Sequence, residues 1–398
     1  MQKFLRLFLL LGCIAPPLLA QRAVNIGDVN VNADSKTIPV RVSASTPELN
    51  ALAHLAFKSH GRYRLPASGP YAYEMTFTAV GAQQVRVDVT KGSARTPVVS
   101  ETVSGTSARN ALLRAANVAV EKTNGLGLKG FFTARLAFIS ERTGKPEIYT
   151  SDLFCGEVKQ LTHDNASALM PRWSPDGSRI VYTSYYKSGF PDIYLIDLAQ
   201  GRRDTFISVK GTNQGARFSP NGRQVAMVLS GTGNSEIWMT DAQGHNPVRK
   251  TRSDTVKSSP CFSPDGSRLV FASQPGPQLF VMSVNGGDMR RVTTGISGYC
   301  AEPDWCRADP NKIAFTMLEG RRYQIAVLDL ASGKSEKVSN ATFDGVEPSW
   351  LADGRHLVYT ARDSRTSYLC ILDTETGAST SVSQGLGSSA LQASVWTP

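Results

Sequence analysis

Long apolar runs are missing from this chain. Beyond residue 20 no stretch reaches 18 consecutive apolar residues, so no membrane-spanning helix is expected. Histidine is scarce, with five in 398 residues, which leaves few groups for metal or general-base chemistry. No run of five like charges occurs, and Lys plus Arg exceed Asp plus Glu by only 43 to 33. A nucleic-acid groove is therefore not indicated, and a slightly basic, mixed surface is. The cysteines never fall in CxxC spacing, which speaks against zinc frameworks. A Gly-x-Ser-x-Gly nucleophile elbow is absent as well. What remains is an apolar fraction of 41% with 34 Gly and 21 Pro, too apolar for a disordered chain and enough to bury a large core.

Residues 1–20 read as an export signal. Lys3 and Arg6 precede an apolar stretch from Leu7 to Ile14, Pro16-Pro17 break it, and Ala20 offers a small residue for cleavage. A rival reading takes Leu10-Leu11-Gly12-Cys13 as a lipobox, with lipid on Cys13. After cleavage at Ala20 five cysteines remain, an odd number that leaves at least one thiol free: Cys155, Cys261, Cys300, Cys306 and Cys370. Cys300 and Cys306 form the close pair that could bridge a loop. Buried thiols are the expectation for the others.

A repeat organises the rest. Trp173-Ser174-Pro175-Asp176-Gly177 returns as Phe218-Ser219-Pro220-Asn221-Gly222 and as Phe262-Ser263-Pro264-Asp265-Gly266, with weaker copies at Trp305 and Trp350. Counting Trp396, the anchor aromatics stand 45, 44, 43, 45 and 46 residues apart, a propeller period. After each turn comes a β-branched run such as Ile180–Ser184, then a second such as Asp192–Leu198, then a short outer strand. Four short strands per repeat mean antiparallel meanders and exclude a helical solenoid. Turn chemistry accounts for Ser-Pro-Asp-Gly: Pro presets φ and Gly takes the left-handed position. Leu136–Ser140 is a sixth run of the first type that lacks a preceding aromatic phrase, and Ala390–Pro398 is a strand without a blade. Trp396-Thr397-Pro398 is read as the counterpart of Trp173-Ser174-Pro175. The expectation is a mainly β fold: a six-bladed β-propeller over residues 129–398, closed by its C-terminal strand.

Residues 21–128 lack the repeat. Val24 to Val31 alternates as a weak strand or arm. Ser45-Thr46-Pro47-Glu48 reads as a helix start with a capping box from Ser45 to Glu48, and the helix runs to about Lys58. Strands are expected at 71–79, 85–90 and 97–103, and a second helix from Ser107 to about Lys122. This is a small α/β domain preceding the propeller. Gly125, Gly127 and Gly130 follow a helix rather than a strand, so they do not form a dinucleotide loop.

With these residues assembled, the chain resembles the TolB family of periplasmic propeller proteins of the Tol–Pal envelope system. The resemblance rests on the leader, the α/β domain, the junction Gly127–Phe138 (GLKGFFTARLAF) and six blades closed by an aromatic-Pro strand. It implies a binding role: a Pal-like, peptidoglycan-associated lipoprotein docked on the propeller, and a TolA-like inner-membrane protein held by an N-terminal arm at about Gln21 to Ala33. Arm residues Val24, Ile26, Asp28 and Val29 match in position and alternation. The chain is short between Leu65 and Tyr71, where the family has an additional strand region. What the resemblance implies is a periplasmic monomer that supports outer-membrane integrity and cell division, with no cofactor and no direct membrane span.

The residues themselves supply a candidate for the propeller contact. Loops joining each outer strand to the next inner strand emerge on one face, and Arg172, Arg217, Glu302, Asp304 and Glu347 follow them, placing mixed charges near the channel mouth. The alternative is a hydrolase or lyase acting on a cell-wall or sugar polymer, with Glu302, Asp304 and Glu347 as the acids. Among the histidines, His163 is expected on an outer-to-inner loop and His245 and His356 in hairpins on the opposite face, each as a surface residue. His54 and His60 pair with no nucleophile. No catalytic or metal residue is expected.

Overall fold

The computed structural model describes residues 37–398. The leader, Cys13 and the arm residues Val24, Ile26, Asp28 and Val29 lie outside the described residues. Among those described, no helix is long and apolar enough to cross a membrane.

The N-terminal part is a five-stranded sheet covered by two helices. β1 (Ile38–Ala44), α1 (Pro47–Ser59), β2 (Tyr63–Arg64), β3 (Tyr73–Gly81), β4 (Gln84–Lys91), β5 (Thr96–Ser104) and α2 (Ala108–Thr123) follow in order. The sheet runs β2-β1-β3-β4-β5, with β1 parallel to both neighbours and the rest antiparallel. Strands β1 and β2 were not expected. Val40 and Val42 alternate with polar residues, but Pro39 interrupts the pattern that would have announced β1. The start of α1 also differs from expectation. Thr46 caps it, accepting from the Leu49 amide at 3.3 Å, because Pro47 takes the first helical position. Ser45 turns away and accepts from the Ala79 amide at 2.9 Å. The second helix starts at the expected place, and Ser107 caps it.

Six four-stranded sheets form the propeller. Five take their strands from contiguous chain, the second blade for example from Ala168–Trp173, Arg179–Ser184, Asp192–Asp197 and Arg202–Ile207. The first blade is split: Ala390–Trp396 lies innermost, beside Arg135–Ser140, Glu147–Asp152 and Lys159–Gln160. Ala390 pairs with Ser140 and Val395 with Leu136, which closes the ring.

The register corrects one equivalence. In the second blade Trp173 pairs with Ile180, and in the first it is Val395 that pairs with the corresponding Leu136. Trp396 therefore sits one place beyond the anchor, where Ser174 stands in its own blade. The 46-residue spacing carried that extra residue. Freed from the anchor position, the Trp396 indole folds over the second blade's turn. Its ring centroid lies 5.8 Å from that of Trp173, and Nε1 donates to the Pro175 carbonyl at 3.0 Å. Gly177 makes room for it: a Cβ there would fall 2.2 Å from the indole, and its φ of +69° also favours glycine.

Blades are locked to one another by anchor residues. The Trp173 indole N–H donates to the Ser394 carbonyl at 3.1 Å and that of Trp350 to the Asp304 carbonyl at 3.0 Å, each reaching the preceding blade. All five described cysteines are free thiols. Cys300 and Cys306 belong to separate clusters, Cys300 beside Trp305 and Cys306 beside Trp350, so they do not bridge the loop.

The N-terminal part joins the propeller without a break in the core. Phe57, Phe77, Leu112, Phe131, Phe132, Leu351 and Leu369 are buried in one cluster. Arg109 of α2 forms a bidentate pair with Asp152, at 2.8 and 3.1 Å. Burial works against the Asp152 charge, but the Arg109 guanidinium and backbone amides prevail and hold its carboxyl below the usual range.

Candidate functional site

Each inner strand carries a bulge at the same place. Met170, Gly215, Ser259, Glu302, Glu347 and Gln392 all adopt left-handed backbone, with φ between 53° and 66°. At each of them the pairing to the second strand shifts register. A bulge inserts an unpaired residue and bends the strand, which turns its amide and side chain into the channel mouth. Such residues are costly when they are not glycine and persist where surroundings hold them. Here the neighbouring blades hold four of the six. Thr183 accepts from the Gly215 amide at 3.3 Å, Thr316 and Glu302 from the Glu347 amide at 3.1 and 3.0 Å, and Thr360 from the Gln392 amide at 3.0 Å. Gln392 in turn accepts from the Met170 amide at 2.8 Å.

The bulge ring was not read from the sequence, though a signal existed. Proline follows the left-handed residue at Pro171, Pro260, Pro303 and Pro348. Lacking an N–H, proline inside a sheet is confined to edges and bulges.

The five expected charged residues all face the channel, but at different depths. Glu302 and Glu347 line a small cavity of about 50 Å³ at the mouth, together with Met170, Ser259 and Gln392. Asp304 lies deeper, in a wider chamber of about 300 Å³ lined also by Trp173, Trp305 and Trp350. Arg172 and Arg217 border both. Asp304 is thus not a mouth residue. Its Oδ1 pairs with Arg217 Nη1 at 2.5 Å, and its Oδ2 accepts from the Trp350 amide at 2.8 Å. Burial and the nearby Arg217 charge pull Arg172 down to about 10.

At the mouth both glutamates are engaged. Glu302 accepts from Thr316 at 2.7 Å, and Glu347 accepts from Thr360 at 3.1 Å and from Gln392 at 2.8 Å. Burial first, and then the Glu302 charge, raise the Glu347 carboxyl to about 7. A raised carboxyl binds its proton more tightly in the folded state, so stability falls as pH rises from the ordinary 4.5 to about 7 and levels off above. Glu347→Gln should therefore be more stable than the parent at pH 8 by up to about 3 kcal/mol, with the gain vanishing near pH 4. Urea unfolding of both proteins across pH 4–8 measures it; a constant difference would refute the assignment.

The loop face also carries an apolar patch that the charge reading missed. Tyr185, Tyr186 and Phe190 occupy the second blade's loop at 185–191, and Phe190 is 69% exposed. Val209 and Val256, both exposed, stand on outer-to-inner loops of the same face. The Arg203 guanidinium stacks 4.2 Å over the Tyr186 ring.

Residues 123–398 match the family model described as the TolB beta propeller domain. The chain belongs to the TolB propeller family. Curated TolB relatives include the TolB homologue of Chlorobium luteolum, 32% identical over 166 residues, which are 41% of this chain and 37% of that protein. The Tol-Pal system protein TolB of Bordetella pertussis is 30% identical over 165 residues, again 41% and 37%. The aligned part of the chain thus spans little more than a third of these relatives' length. The crystal structure of TolB from Acinetobacter baumannii superposes with a TM-score of 0.77 at 21% identity, covering 90% of this chain and 96% of that one. That likeness shows the shared fold, an α/β part followed by six blades.

One histidine expectation fails in this TolB-family chain. His356 is not a surface residue: it is fully buried, as is His60, and their ring centroids lie 4.6 Å apart. Sequence distance hid the pair, because the α/β domain docks on the sixth blade's turn. His245 is exposed as expected, its side chain 72% accessible.

Proposed function

We propose that this protein is a periplasmic, protein-binding scaffold of a Tol–Pal-like envelope system. It docks a Pal-like lipoprotein on the loop face of the propeller and a TolA-like inner-membrane protein through the segment at 21–33. The observation that carries the reading is the composition of the loop face in a TolB-family ring. An exposed aromatic patch flanks a mouth of mixed charges, and protein interfaces combine such anchors with a polar rim. The mouth cavity is too small for a polymer, which favours a partner seated on the face rather than threaded through it. Glycan chemistry draws no support from Glu302 and Glu347, because both carboxylates are already engaged, Glu302 by Thr316 of its own blade and the Glu347 amide of the next, and Glu347 by Gln392 of the first blade. The domains suited to this role are a leader at 1–20, an α/β unit at 21–128 and the propeller at 129–398.

Calorimetric titration with the purified periplasmic domain of a Pal-like lipoprotein tests the face. Phe190→Ala with Tyr186→Ala should weaken binding about 10-fold or more, since buried aromatic anchors dominate such interfaces. Removing residues 21–33 should leave that affinity intact and abolish binding of a TolA-like domain. Unchanged lipoprotein affinity in the double variant would sink the face, and unchanged TolA-like binding would sink the arm.

A further inference from the structure

The sixth blade's turn departs from its siblings where the fold does not demand it. In the second blade Asp176 accepts from Ser174 at 2.5 Å and Ser178 at 2.8 Å. In the fourth, Asp265 accepts from Ser263 at 2.5 Å and Ser267 at 2.7 Å. The sixth blade replaces both serines, by Leu351 and Arg355, and puts His356 where Arg179 and Arg268 stand. Asp353 accepts instead from His356 Nδ1 at 2.6 Å, and both side chains are fully buried. A carboxylate holding Nδ1–H leaves Nε2 of His356 as the lone-pair atom. That atom has no partner.

From the other side of the interface α1 delivers His60, one residue past its last turn. Its ring is fully buried among Tyr63, Phe131 and Phe132, and neither of its nitrogens has a partner. Gly61 permits this approach, since a Cβ there would fall 1.9 Å from Asp373 Oδ2. Asp373 itself is engaged by Arg355 at 2.9 and 2.6 Å, so the neighbouring guanidinium is neutralised. Ligand-type atoms of His60, His356 and Asp353 all lie within 4.8 Å of one another.

Buried polar atoms left unpaired are destabilising, and phenylalanine would fill the His60 pocket without that penalty. Two buried imidazoles with unpaired nitrogens, brought into ring contact on a turn rebuilt to orient one of them, call for a shared ligand. Two imidazole nitrogens, one on a histidine oriented from behind by a carboxylate, are the ligand type and the outer-shell arrangement of zinc-class sites.

We propose that His60, His356 and Asp353 form a buried transition-metal site of the zinc class, which clasps the α/β domain to the propeller. The two imidazoles supply the nitrogens, and Asp353 orients His356 and neutralises part of the ion's charge. Because it spans two parts of the chain, the ion stabilises the folded state by linkage and couples the two parts.

The test uses the purified, tag-free chain. After incubation with zinc and gel filtration, metal analysis should find about one equivalent per chain, because a site assembled by folding retains its ion. Cobalt(II) loading should give ligand-field absorption bands, and a chelator should lower the melting temperature. His60→Phe, which preserves the aromatic packing, should lose the equivalent, the bands and the chelator response. His245→Ala should keep all three. If His60→Phe fails to fold, the cobalt spectrum and chelator response of the parent protein still decide. No retained zinc in the parent, or equal retention in a folded His60→Phe, overturns the proposal.

Discussion

A chain lacking Ala390–Pro398 should not form a cooperatively folded monomer. The deletion strips the inner strand from the first blade and leaves Arg135–Ser140, now an edge, unpaired along its inner side. Leu136, Ala137, Phe138 and Ile139 are all fully buried in the closed ring, so the new edge is apolar and suited to pairing with another chain. The neighbouring blade suffers as well. Trp173 loses the Ser394 carbonyl that accepts its indole N–H, and the Trp396 clasp over Gly177 disappears. A typical domain has about 5–15 kcal/mol of stability in total, and losing a strand with its buried contacts consumes it. Size-exclusion chromatography and thermal unfolding should show aggregates and no sharp transition. A monomer with the parent melting temperature would disprove the closure.

Asp304→Ala should carry the largest penalty of any single substitution in the channel. This carboxylate joins three blades, pairing with Arg217 of the third and accepting from the Trp350 amide of the sixth while sitting on the fifth. Its removal leaves Arg172 and Arg217 facing each other with their neutralising neighbour gone, in a chamber where the Arg217 side chain is only 15% exposed. Breaking one partner from a buried ion pair costs about 3–5 kcal/mol, because an uncompensated charge stays behind. Adding Arg217→Met to Asp304→Ala should recover a large part of the loss, since it removes the stranded charge. Denaturant midpoints of the single and double variants measure this. A single variant within about 1 kcal/mol of the parent would show that the pair is solvated and structurally idle.

Both predictions depend on features that differ in how far the amino-acid order reveals them. The blades were legible because local rules write them: Trp173-Ser174-Pro175-Asp176-Gly177 is a turn whose chemistry needs no distant partner, and β-branched runs on either side announce strands. Closure was legible from arithmetic, since an unpaired run at Leu136–Ser140 and an unassigned strand at Ala390–Pro398 must find each other. Its register was not, because the spacing of Trp396 looked like that of an anchor while the pairing made Val395 the anchor. Similarly Pro47 placed the first helix, yet whether Ser45 or Thr46 capped it depended on β3, whose Ala79 amide claims Ser45.

The site divides along the same line. The types of charge along the channel could be read from positions that recur in the repeats: Arg172, Arg217, Glu302, Asp304 and Glu347. Their depth and pairing could not, because the bulges that re-aim them arise from contacts between blades. By itself the order of residues determined a six-fold ring of antiparallel blades, since turns and strands obey short-range sterics and side-chain alternation. Only the tertiary structure decided that His60 meets His356 and that Arg217 meets Asp304. These encounters span hundreds or dozens of residues, and no local preference encodes a contact that exists only once the ring has closed and the smaller domain has docked on it.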